Sequence, residues 1–246
     1  MKILVCISKA PDTTAKIAFT DNNTAFDTNG VQFIVNPYDE WYALVRGLEL
    51  KEQNGGSVTV VNVGLAENEP IIRKALAIGA DEAVRINVNP TDALQTAKEI
   101  VAFAKAEGFD MVLLGKETID YNGSQLGGMI AELMDMPYVS LASKLEMEGT
   151  TATIHRDIQG GTEVVEVTAP FVISAAKGMA EARIPNMRGI MAARTKPLKV
   201  VEGSGANAST TIANYELPPA KGECYYIDAD NAAELIELLH NEAKVI

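Results

Sequence analysis

The residues whose types and spacing suit chemistry lie within 109–137, FDMVLLGKETIDYNGSQLGGMIAELMDMP, and the chemistry they suit is anion binding. Met111, Val112, Leu113 and Leu114 make a short apolar run that reads as a strand buried on both faces. Gly115 ends the run and a polar loop follows. Gly123 and Ser124 then lead into Leu126, Met129, Ile130 and Leu133 at helical spacing, and Pro137 stops the pattern. Open α/β sheets hold phosphates with this succession, because a helix N-terminus presents unpaired N–H groups and partial positive charge. Purely structural βα turns share it, so from these residues alone both readings stand.

No side-chain catalysis is written into the chain. Asp120 has the type of a general base, but no acid or nucleophile is marked out beside it, and a turn-forming or hydrogen-bonding role suffices. His155 and His240 have no partner at ligand or triad spacing. Cys6 sits in an apolar run and Cys224 far away. Neither belongs to a C-x-x-C or Cys/His cluster, so no metal site is expected and free thiols fit a reducing compartment. A Walker phosphate loop, a G-x-G-x-x-G after a strand and a G-x-S-x-G elbow are all missing. The net charge of −12 argues against nucleic acid and suits partners with positive patches. No apolar stretch is long enough to insert in a membrane, and MKILVCIS has no signal or transit pattern, so a cytoplasmic location is expected.

The elements that must position these residues follow from periodicity. Strands are expected at 2–8, 57–63, 83–87 and 111–114, with helices at 38–53, near 70–78 and at 92–107 between them. Asp21-Asn22-Asn23 separates two short β-like runs in an excursion before the first helix. Alternation with long crossovers predicts an α/β fold with a doubly wound, mostly parallel sheet. Residues 150–157 and 162–167 alternate around Gly160-Gly161 as an antiparallel hairpin, and 171–174 reads as a further strand. Residues 177–196 read as irregular and basic, and 202–213 as a flexible connector. A helix at 231–242 ends the chain. The expected organisation is an α/β domain over 1–197 and a linker with a C-terminal arm over 198–246, free to pack on its own domain or on a partner.

Four collinear segments resemble electron-transfer flavoprotein β subunits: VNPYDE at 35–40, RKALAIGADEAVRI at 73–86, GKETIDYNGSQLGGMIAELMDMP at 115–137, and RDIQGG at 156–161. The resemblance implies a heterodimer in which a larger α subunit holds most of the FAD and the β subunit buries a structural AMP. Electrons would pass from donors such as acyl-CoA dehydrogenases to a quinone-linked oxidoreductase or another acceptor, making the chain an electron carrier with no catalytic residue. The nucleotide site it implies comprises Cys6, Asn36, Pro37, Tyr38, Asp39 and Val63, with Gly115, Lys116, Glu117, Thr118, Ile119 and Asp120. Tyr121, Asn122, Gly123, Ser124, Gln125 and Leu126 complete it, with backbone N–H groups from 122–126 on the phosphate.

This chain departs from the family pattern there. Leu126 stands where a hydroxyl donor is usual, Glu117 where Gln is usual, and Tyr121-Asn122 replace two acids. One lost hydrogen bond to a charged group is worth about 1.5–3 kcal/mol. EARIPNMRGIM at 181–191 resembles the family's partner-recognition loop, which implies partner-binding roles for Arg183 and for Met187 as apolar anchor; the alternative is that Met187 packs on its own subunit. Asp157 falls where the family has a Glu near the flavin. Bifurcating relatives hold a second FAD in place of AMP and oxidise NADH, but the longer segment they carry after the third strand is absent at 87–93. A stand-alone adenine-nucleotide sensor on the same core is a third reading, with no need of the hairpin, the basic loop or the arm.

Overall fold

The computed structural model describes residues 1–37, 39–117 and 123–246. Strand β1 (Lys2–Cys6) is followed by an excursion of β2 (Lys9–Pro11), β3 (Phe19–Thr20), β4 (Ala25–Phe26) and β5 (Phe33–Val35). β3 and β4 pair across Asp21, Asn22 and Asn23, all at positive φ, a region these short polar side chains tolerate better than most. Then come α1 (Asp39–Asn54), β6 (Ser57–Val63), α2 (Glu69–Ile78), β7 (Glu82–Asn87), α3 (Ala93–Glu107), β8 (Met111–Gly115) and α4 (Leu126–Met134). β9 (Tyr138–Glu148), β10 (Thr151–Ile158), β11 (Gly161–Thr168) and β12 (Phe171–Ala175) follow. The chain closes with α5 (Met187–Ala193), β13 (Leu198–Glu202) and α6 (Ala232–Glu237), which runs on as a π-helical turn.

Nine strands form one sheet in the order β11-β10-β9-β12-β8-β1-β6-β7-β13. The seven from β9 to β13 in that order are parallel, and β10 and β11 form the expected antiparallel hairpin on β9. Strand residues alternate between two cores. Ile3, Val5, Val58, Val60, Met111 and Leu113 pack under α1 and α2, while Leu4, Cys6, Val61, Val63, Val112 and Leu114 pack under α3 and α4. The chain leaves β1 toward β6 and β7, then returns through α3 to β8 on the other side. That reversal opens a crevice at the carboxyl ends of β1 and β8, where such sheets bind ligands.

Four features differ from the sequence expectation. β9 was not expected, because its buried Val139, Ala142 and Leu145 recur every three residues, matching no strand period. A bulge produces that spacing: Leu141 takes φ +57°, and the pairing of β9 with β12 shifts register there. β13, at the start of the expected arm, is instead an edge strand on β7, too short and too exposed to show an alternation. Residues 187–193, expected to be irregular, are helical, capped by Asn186 Oδ1 accepting from Gly189 N at 2.8 Å.

The fourth difference is the connector, which has no regular structure yet is strapped down. Glu99, 2% exposed on α3, accepts Ser204 N at 2.6 Å and Ala206 N at 3.2 Å. Asp92 accepts Ser209 N at 2.5 Å and Thr210 N at 2.8 Å while also capping α3 through Gln95 N. The strap ends where Tyr215 stacks on Phe19, centroids 5.1 Å apart.

Candidate functional site

The crevice is built by the ends of β1, β6 and β8 and by the N-termini of α1 and α4. Gly115 brings α1 close: a Cβ there would lie 2.8 Å from Glu40 N and 2.9 Å from Asp39 Cβ. This glycine therefore serves helix–strand approach, not only the turn. Glu40, 4% exposed, accepts Ser8 N at 2.8 Å and Ser8 Oγ at 2.7 Å, pinning the loop after β1 to α1. Asn36 Nδ2 donates to Glu117 O at 3.0 Å, Lys116 Nζ pairs with Glu117 Oε1 at 2.8 Å, and Ser124 Oγ reaches Glu117 Oε2 at 3.5 Å.

Thus Cys6, Asn36, Pro37, Asp39, Gly115, Lys116, Glu117 and Ser124 come to one place across 118 residues of sequence. Val63 lies at the end of β6, two strands from Gly115. Gln125 and Leu126 open α4. Tyr38, Thr118, Ile119, Asp120, Tyr121 and Asn122 lie outside the described residues.

Electrostatics separate the helix ends. Burial pushes the Asp39 carboxyl above its usual range, opposed by Lys116 and by a hydrogen bond from the Glu117 backbone, while the Glu117 charge adds to the rise. The Lys116 ammonium is pushed up by its bond to Glu117 and then by Asp39. Burial, then the charge of Glu40, pushes the Cys6 thiol far up, so it stays a neutral, apolar wall. α1 carries Asp39 and Glu40 in its first turn, α2 carries Glu69, and α3 is capped by Asp92. Among the described residues, α4 has neither an acid in its first turn nor a capping side chain. Among the described residues, then, α4 alone of the four helices laid on the sheet has neither an acid nor a capping side chain at its N-terminal dipole.

Tyr138 supports that end and was missed in the sequence. A Cβ on Gly127 would meet Tyr138 Oη at 2.6 Å, so the first turn of α4 rests on this ring, and Tyr138 Oη donates to buried Ser174 at 2.9 Å. Ser8 and Glu40 were missed as well. Their bond spans 32 residues, and although Glu40 ends the VNPYDE segment, nothing in that segment points to Ser8.

The remaining sequence candidates lie apart. Asp157 is exposed on β10, its Oδ1 accepting from Ser143 Oγ at 3.3 Å. Register aligns Gly115, Ala175, Ala142 and Arg156 in one row across β8, β12, β9 and β10. Three strand spacings, roughly 14 Å, therefore separate Asp157 from the crevice. Met187 is 73% exposed and does not pack on its own subunit. Arg183 is engaged at home, bonding Glu52 at 2.6 and 3.0 Å. No group of three metal-ligating side chains occurs among the described residues, and no helix there is long and apolar enough to cross a membrane.

With this geometry in place, residues 23–205 match the electron transfer flavoprotein domain. The chain is 35% identical over 260 residues to the electron transfer flavoprotein subunit beta of Bacillus subtilis, covering all of both chains. It belongs to the electron transfer flavoprotein β-subunit family. The human subunit beta is 32% identical over 231 residues, 90% of each chain. Subunit CarD of the caffeyl-CoA reductase-Etf complex of Acetobacterium woodii is 32% identical over 237 residues, 90% of each chain. Membership in the family assigns the chain to flavin-linked electron transfer beside an α subunit, and the mostly parallel sheet is the fold that the alternation of strands and helices predicted.

Proposed function

We propose that this β subunit holds one structural AMP in the β1/β8 crevice and completes the FAD environment of a larger α subunit. As a heterodimer it carries electrons from acyl-CoA dehydrogenase-type donors to a quinone-linked oxidoreductase or another acceptor. The observation that supports the nucleotide is the N-terminus of α4, which among the described residues carries no acid or capping side chain, while α1 and α3 carry their own acids. A phosphate there meets unpaired N–H groups and the positive end of the dipole. Asp39 and Asn36 line the side of α1, where a carboxylate and an amide suit an adenosine's amino and hydroxyl groups. The neutral Cys6 thiol and Val63, 4% and 8% exposed, offer a small apolar floor to a purine. The bound nucleotide supplies charge and packing and takes no part in redox chemistry.

The partner surfaces fit the same reading. Ile184, Met187 and Met191 are 84%, 73% and 56% exposed, an apolar group of the kind that anchors a docked partner. None of residues 203–246 is buried, and α6 leaves Leu235 and Ile236 open to solvent. Beyond Tyr215 its own domain does not bury the arm, and the α subunit is the partner we assign to it.

Mass spectrometry of the small molecule released on denaturation tests the site. One AMP and one FAD per heterodimer are expected; two FAD and no AMP would replace this reading with the bifurcating one.

A further inference from the structure

The run RKALAIGAD begins with Arg73, and the nucleotide site gives this arginine no task. It sits half-buried on α2, and its Nη1 donates to Ala193 O at 2.8 Å and Lys196 O at 2.7 Å, carbonyls at the end of α5. Lys196 answers: its Nζ donates to Leu76 O at 3.0 Å and Ala80 O at 2.5 Å, at the end of α2. Terminal helix carbonyls have no donor of their own, and here each segment's cation supplies the other's. The two helices touch closely, since a Cβ on Gly189 would fall 2.2 Å from Ala77 O, and Ala193 is 3% exposed in the core. At the other end of the segment the two-pronged bond from Arg183 to Glu52 ties it to α1. Between these ties stand the exposed Ile184, Met187 and Met191.

We propose that Arg73 is a positioning residue for partner docking: together with Lys196 and Arg183 it fixes α5 so that Met187 and its neighbours are presented already ordered. The inference rests on 181–191 being the surface that meets the dehydrogenase, and it gives the RKALAIGAD run a role in electron transfer away from the nucleotide. An ordered segment loses less conformational freedom when it docks. Arginine suits the task because one rigid guanidinium spans two carbonyls.

The test uses the purified heterodimer, reduced in steady state by an acyl-CoA dehydrogenase and its acyl-CoA, with hydrogen exchange and nucleotide content measured in parallel. Arg73→Gln should raise KM for the heterodimer about five- to tenfold with kcat and nucleotide content unchanged, and Arg73→Lys should recover part of this. Exchange should quicken in 183–196 and stay slow in β1 and β6. In a Met187→Ala background Arg73→Gln should add less than about twofold, because both changes act through one surface. Glu52→Gln, which opens the surface tie, should raise KM in the same direction. Unchanged KM despite faster exchange in 183–196 overturns the proposal, as does an equal increment with and without Met187, or joint loss of core protection and nucleotide. If the wild type is not reduced, or Met187→Ala leaves KM alone, the docking reading itself fails. If Met187→Ala raises KM and Arg73→Gln does not, only the role of Arg73 fails.

Discussion

The β1/β8 crevice and the α5 face sit at opposite ends of one helix and are built on opposite plans. α1 meets the crevice at Asp39 and the α5 segment at Glu52, about 20 Å further along its axis. At the crevice end, polar groups are buried or half-buried and tied to one another: Glu40 to Ser8, Asn36 to Glu117, Lys116 to Glu117. At the other end, charged groups work behind the surface and apolar groups are left in solvent, with Met187 73% exposed. On the proposed reading, a site that keeps its ligand is finished largely by its own chain, whereas a surface that meets changing partners is held still but left open.

If that division is right, damage to one end should spare the other. The largest effect is expected from Met187→Ala, which should raise KM for reduction by the dehydrogenase by about thirtyfold, a central anchor being worth about 2 kcal/mol. AMP content should not change; loss of both together would merge the two regions into one folding unit. Next, Gly127→Ala drives a Cβ against Tyr138, 2.6 Å from its Oη, and should cost about 1–3 kcal/mol with loss of AMP. Thermal unfolding with nucleotide analysis checks it, and KM of the remaining folded heterodimer should be normal.

Leu126→Asp should act with two signs. An acid in the first turn of α4 complements the open dipole, adding about 0.3–1 kcal/mol to the nucleotide-free protein, while repelling the phosphate and lowering AMP occupancy. Melting with and without added AMP separates the two.

Acidity gives the smallest effect and probes the boundary between the regions. Hydrogen bonds from Gln95, Thr210 and Ser209 hold the Asp92 carboxyl below its usual range. Its contribution is complete above the unfolded carboxylate value and is lost as pH falls through the lowered folded value. Proteolysis of 203–215 should therefore quicken below about pH 4, and in Asp92→Asn it should already be quick at neutral pH and lose that acid dependence. Asp39, pushed up by burial, runs the other way: its contribution falls as pH rises from the ordinary carboxylate value through the raised one. Asp39→Asn should flatten that limb of the stability curve.

Much of the parallel core was legible because apolar runs broken by glycine and proline carry their own period. SVTVVNV and MVLLG became β6 and β8, and the turn at 21–23 formed where Asp and Asn were placed. β9 was illegible because a bulge at Leu141 replaces the strand period with one that fits no element. The strap at 203–210 looked free because its restraints are carboxylates on α3, about 110 residues earlier, accepting from plain backbone N–H groups. At the crevice, residue types around Gly115 suited an anion site and a structural turn alike, and which helix start lacks a cap could not be read locally, since an acid near a helix start looks the same whether it caps or waits.

By itself, then, the sequence determined the strands and helices of the parallel core up to α4, their alternation and several of the residues at the β1/β8 reversal, because those depend on neighbours within a few positions. Tertiary structure alone decided that Arg183 turns to its own Glu52, that Arg73 and Lys196 reach carbonyls at the ends of each other's helices, and that among the described residues no side chain caps the start of α4. These are matters of distance between groups some 120 to 130 residues apart, or of helix ends compared across the sheet. No local spacing encodes them.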